Sequence, residues 1–120
     1  MPLPRHEAKA ELFRTLSHPV RIRVLELLAE GERPVYELLA QMQTEPSALS
    51  QQLAVLRRSG LVRQRRVGGE VLYSLLIPAI GDVLATARVA LGELLANQAE
   101  LQAELDAELP ATSTSRTVRT

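Results

Sequence analysis

The chain is 120 residues long, with no formal net charge, 46% hydrophobic and 23% charged residues. That is the composition of one globular domain, neither disordered nor fibrous. It has no cysteine, which excludes a disulfide scaffold, thiolate metal ligands, a thiol redox switch and a cysteine nucleophile. No apolar run reaches the roughly 18 residues of a membrane span, and the start from Met1 to His6 lacks an apolar leader stretch, so a cytoplasmic protein with no membrane partner is expected.

Ala8, Leu12 and Leu16 recur at spacing four with Phe13 beside them, which predicts a short amphipathic helix over residues 6–16. Ser17-His18-Pro19 interrupts it. Serine is a good cap, proline suits a first helical turn, and His18 reads as a local capping residue. A second helix carries Val20, Ile22, Val24, Leu25, Leu27 and Leu28 around much of its circumference, so it belongs at the centre of the core. With Phe13, Tyr36 and Tyr73 as the only aromatics, that core must be aliphatic. Gly31 ends the second helix and Pro34 opens a third over residues 34–42. In the link Thr44-Glu45-Pro46-Ser47, Thr44 or Glu45 is placed to cap and Pro46 to fill the first turn of a fourth helix, which Gly60 stops.

The fourth helix has two unlike faces. At about 100° per residue, Leu49, Leu53 and Leu56 fall together, and Ser47, Ser50, Gln51, Ala54, Arg57 and Arg58 fall opposite. Short polar side chains let a helix approach base edges. Glutamine pairs bidentately with adenine, serine contacts any base, and arginine reaches phosphates. Gln52 joins the candidate contacts. An ordinary solvated helix face uses the same residue types, so this face alone does not decide the matter.

From Leu61 to Leu76 the period changes. Two β-prone runs flank Gly68-Gly69, the signal of a tight hairpin, and the first run carries Arg63, Arg65 and Arg66. A basic hairpin directly after a helix-turn-helix has the layout of a wing, which lies along the DNA backbone or probes the minor groove. The zero net charge also hides an asymmetry. Residues 1–80 hold 11 basic and 8 acidic side chains, net +3, and residues 81–110 hold 1 and 6, net −5. Arg57, Arg58, Arg63, Arg65 and Arg66 lie within ten residues that contain no acid, an electrostatic footprint for a polyanion.

The stretches from Leu16 to Leu25 (LSHPVRIRVL) and from Pro46 to Val62 (PSALSQQLAVLRRSGLV) resemble the ArsR/SmtB family of bacterial winged-helix transcriptional regulators, and the likeness extends from residue 8 to about residue 100. The resemblance implies a homodimer that binds operator DNA and, in most members, releases it when an effector binds. It places Ser47, Ser50 and Gln51 at base-reading or backbone-anchoring positions. Pro46 stands where members often carry glutamine. The expected fold is mainly α with a small β-hairpin, a winged helix-turn-helix dimerising through its first and last helices. The expected DNA contacts are Ser47, Ser50, Gln51, Gln52, Arg57, Arg58, Arg63, Arg65, Arg66, Gly68 and Gly69.

Pro78 opens the last helix, where Ile80, Leu84, Ala87, Leu91, Leu94, Gln98, Leu101 and Leu105 recur in steps of four and three, a heptad-like seam with one polar break. About 30 residues of helix extend ~45 Å, more than a domain of this size covers. The expected dimer contacts are Leu12, Leu84, Ala87, Leu91, Leu94 and Leu101. Residues 1–109 form the expected domain and residues 110–120 a disordered tail.

Sensor chemistry is thin. Metal sensors of the resembled family often carry Cys-x-Cys on the third helix, where this chain has Leu39 and Gln41. A second family site on the last helix corresponds to Asp82, Leu84, Leu95 and Gln98, and only Asp82 is able to ligate. His6, with Glu7 or Glu11, is the remaining candidate, suited to weak nickel or zinc binding. No cofactor is required. No catalytic acid–base pair, phosphate loop or nucleophile motif is present, so an enzyme is not expected. The leading expectation is a sequence-specific regulator acting as a homodimer on an inverted repeat of double-stranded DNA. A nickel- or zinc-responsive member working with a sensing partner protein is one alternative. A protein-interaction module with weak DNA binding is the other.

Overall fold

The computed structural model describes residues 2–108; the expected tail, residues 110–120, lies outside them. The elements are α1 (Arg5–Leu16), α2 (Pro19–Ala29), β1 (Arg33–Pro34), α3 (Val35–Gln41), α4 (Pro46–Arg58), β2 (Val62–Val67), β3 (Glu70–Leu75) and α5 (Ala79–Glu108). The chain divides into two compact units, Met1–Leu84 and Ala85–Thr120.

The first unit is built around α2. Its N-cap is His18, whose Nδ1 accepts a hydrogen bond from the Val20 N–H at 3.2 Å, while Pro19 fills the first turn at no loss of a backbone bond. Ser17 does not share the capping, since its hydroxyl donates back to the Arg14 carbonyl at 2.8 Å. Val24, Leu25, Leu27 and Leu28 are buried and pack with Leu16, Leu38, Leu49, Leu53, Leu56, Leu61 and Val62 into one aliphatic cluster, where Tyr73 is the buried aromatic. Burying each such side chain contributes about 1.5–3 kcal/mol.

The sheet is antiparallel in the order β1-β3-β2. Gly68 (φ +54°) and Gly69 (φ +89°) form the turn between β2 and β3, where both residues need the left-handed region and β-branched or bulky residues would strain. The register pairs Arg63 with Ser74, Arg65 with Leu72 and Arg66 with Val71. Strand β1 was not expected from the sequence. Pro34 does not open α3 but is its extended N-cap, and Arg33 and Pro34 pair with Tyr73 and Leu72 on the free edge of β3. Pro34 has no N–H to donate, and an edge position tolerates that. α3, the link 42–45 and α4 form a helix-turn-helix, and β2 and β3 form its wing. The fold is a winged helix-turn-helix.

One expected dimer contact is corrected here. Leu84 is 9% exposed and belongs to the core cluster of the first unit, so it is already covered. Leu12 is also half-buried against that cluster. The described part of the second unit is residues 85–108 of α5. Ala87 is exposed there, and Leu91, Leu94, Leu101 and Leu105 are each more than half exposed. Among the described residues, no helix is long and apolar enough to cross a membrane.

Candidate nucleic-acid interface

Helix α4 places the candidate site because its apolar face is pinned. Leu49, Leu53 and Leu56 are at most 2% exposed, which fixes the rotation of the helix and turns Ser47, Ser50, Gln51, Arg57 and Arg58 to solvent. The start of α4 has Glu45 at its N-cap with no side-chain cap bond, and Pro46 follows. Its end closes on Gly60 (φ +79°): the Gly60 N–H donates to Arg57 O and the Leu61 N–H to Leu56 O, both at 3.0 Å. That closure buries Leu61 and starts β2 beside the recognition face. Ala54, Arg57 and Arg58 line a shallow depression there, and Gln64, Arg65, Arg66 and Val71 line another on the wing. Among the described residues, Arg57, Arg58, Arg63 and Arg66 have no carboxylate within 4 Å; Arg63 Nε donates at 3.4 Å to Ser74 Oγ. Arg57 and Arg58 also lie in the last turn of α4, where a cation favours the helix dipole.

Two expected DNA contacts bond to other side chains of the chain in this structure. Gln52 Oε1 accepts from Arg21 Nε at 2.8 Å, and Arg21 Nη1 donates to the Thr15 carbonyl at 2.8 Å. Arg21 thereby ties the end of α1 to α4 through Gln52, which is half-buried at the edge of the apolar face. Arg65 forms a two-pronged bond with Glu32 in the turn before β1. Both partners lie far from each other in sequence, so no local pattern marks either tie. Gly68 and Gly69 sit at the exposed tip of the wing.

Tyr36 lies beside the wing, outside the expected contacts. It is 61% exposed in the first turn of α3, and the negative charge of Glu70 at the wing tip, followed by partial burial, Glu37 and a hydrogen bond to Glu70, raises its hydroxyl above the usual tyrosine range. An exposed aromatic beside a helix start was the only available sequence signal. The metal candidates do not converge. The His6 side chain is 84% exposed with Glu7 at 3.9 Å, and among the described residues no group of three or more His, Asp or Glu side chains gathers to hold an ion.

The fold, the exposed face of α4 and the basic wing together define a DNA-binding regulator. Residues 18–64 match the family described as bacterial regulatory proteins of the arsR family. The chain is 50% identical over 96 residues to the HTH-type transcriptional regulator Rv0081 of Mycobacterium tuberculosis, covering 79% of this chain and 84% of that protein. The crystal structure of that protein superposes with a TM-score of 0.72 over 82% of this chain and 99% of the other. The transcriptional repressor BigR from Xylella fastidiosa gives 0.64 at 38% identity, over 72% of this chain and 85% of the other. The homodimeric winged helix-turn-helix domain of Mb0332 from Mycobacterium bovis gives 0.65 at 28% identity, over 78% and 91%. The chain belongs to the ArsR/SmtB family and is a DNA-binding transcriptional regulator.

Proposed function

We propose that the protein binds an inverted-repeat operator as a homodimer and represses transcription from it, acting in the cytoplasm and not as an enzyme. The observation that carries the DNA reading is the pinned α4. Ser47, Ser50 and Gln51 crowd its N-terminal half, and unpaired Arg57 and Arg58 close its C-terminal end. In this reading Gln51 and the two serines meet base edges, Arg57, Arg58, Arg63 and Arg66 meet phosphates, and Gly68 and Gly69 let the wing tip approach the duplex. Support for self-association comes from Ala87, Leu91, Leu94 and Leu101, all exposed, from Leu12 on α1, and from the homodimeric relative. Half-site centres then lie about one helical turn, ~34 Å, apart. Relatives that are repressors support the sign.

DNA binding here needs no cofactor. In this reading His6, with only Glu7 nearby, offers too few ligands for more than weak nickel or zinc binding, and any metal response comes from a sensing partner protein. The test is selection of duplexes from a randomised pool, followed by titration of the selected and a shuffled duplex. Replacing Gln51 with Ala should cost about 1–3 kcal/mol on the selected duplex and far less on the shuffled one. Equal losses on both would remove Gln51 from base reading.

A further inference from the structure

Glu32 sits in the turn between α2 and β1, and its carboxylate reaches across to the wing. Arg65 Nε donates to Glu32 Oε2 at 2.8 Å and Arg65 Nη2 to Glu32 Oε1 at 2.7 Å, the parallel fork that a guanidinium makes with a carboxylate or a phosphate. Glu32 is the less exposed partner, 27% against 53%. Arg65, through this hydrogen bond first, holds the Glu32 carboxyl below the usual carboxylate range. Among the described residues, Arg65 is the one arginine between positions 57 and 66 whose fork is filled by a carboxylate. Arg65 also lies in the middle of β2, so the bond ties the wing to the turn that enters β1.

We propose that Glu32 is a specificity-determining residue: it withholds Arg65 from the DNA backbone and braces the wing in one pose. The inference rests on the DNA-binding reading above. Phosphate contacts are blind to sequence and dominate non-specific complexes, and each arginine that meets a phosphate releases a counterion. An arginine held by a carboxylate neutralises no phosphate and so displaces none of the cations condensed on the DNA. Freeing it strengthens binding to any duplex, while loss of the brace works against the one complex in which the wing must sit in register. The gap between correct and incorrect DNA therefore narrows.

The experiment is a salt titration of binding, read by fluorescence anisotropy, on the duplex that the wild type selects from a randomised pool and on a shuffled duplex of the same composition. Glu32→Gln keeps the size and removes the charge. It should bind the shuffled duplex roughly five- to tenfold tighter per engaged wing at ~0.1 M salt, with a log–log slope steeper by about 0.9 per wing. It should gain less on the selected duplex. Arg65→Gln should leave the wild-type slope in place, and that reading stands whether or not Glu32→Gln folds. An unchanged or shallower slope for Glu32→Gln, or a loss on both duplexes, would overturn the proposal. So would a slope reduced by about one unit in Arg65→Gln, because Arg65 would then already meet a phosphate. A wild type that selects no duplex overturns the DNA-binding reading itself, and this inference with it.

Discussion

Helix α5 runs one apolar repeat through two different fates. Ile80 and Leu84, at its start, are 3% and 9% exposed, covered by the core of the first unit. Leu91, Leu94, Leu101 and Leu105 continue the same spacing and are 54%, 52%, 55% and 51% exposed. The residues are alike and the helix is unbroken, so the difference is not one of propensity. A hydrophobic repeat records that a face wants cover; it does not record whether the cover is the chain's own core or another molecule.

The largest effect should come from the covered end. Leu84→Ala removes buried methyl groups and leaves a void, at a cost of about 2–5 kcal/mol in urea unfolding. Leu91→Ala, in dilute protein, should stay within ~0.5 kcal/mol of wild type. Equal losses would mean that residue 91 is covered within the protomer. Leu91→Lys sharpens the contrast: the protomer should remain folded by circular dichroism while self-association and operator binding fall together, because an unpaired charge in a helix seam costs several kcal/mol. Sedimentation showing an intact dimer would place the interface elsewhere.

A smaller effect separates two glycines of the same helix. Gly92 has no atom within 4 Å of an added Cβ, so Gly92→Ala should stabilise by about 0.5–1 kcal/mol through helix propensity alone. At Gly81 the added Cβ lies 3.1 Å from the Ala29 Cβ, so Gly81→Ala should gain less or lose. Destabilisation by Gly92→Ala would show a second chain approaching there.

The smallest effect tests whether a surface tie adds to the core of the first unit. Arg65, first by its hydrogen bond and then by its charge, and Arg63 by charge, lower the Glu32 carboxyl in the folded state. The stabilisation is therefore present above the unfolded carboxylate value of ~4.3 and disappears as pH falls through the lower folded value. Thermal melts of wild type and Glu32→Gln should differ slightly at neutral pH and converge in acid. A difference that persists there would assign the tie to packing instead of charge.

Much of the DNA-binding half was legible because its signals are local. The Leu49–Leu53–Leu56 spacing, Gly60, and the Gly68-Gly69 pair between arginine- and valine-bearing runs each fix a nearby conformation, and together they order the recognition helix and wing. The features without a local signal are long-range. Strand β1 is two residues held by pairing with Tyr73 and Leu72, and Pro34 looked like a helix start because its fixed φ serves both roles. Residue type marks Gln52 and Arg65 as candidate DNA contacts, but does not show that they bond to Arg21 and Glu32, 31 and 33 residues away.

By itself, then, the sequence determined the helices, the hairpin, the aliphatic core and the face of α4 that carries serine, glutamine and arginine, since periodicity and turn chemistry act over a few residues. Only the tertiary structure decided which arginines of the basic stretch are free, which glutamine points outward, and where along α5 the core stops covering leucines. Those outcomes depend on which side chains meet across the fold, and an ion pair or a buried contact between distant residues leaves no periodic trace in the chain.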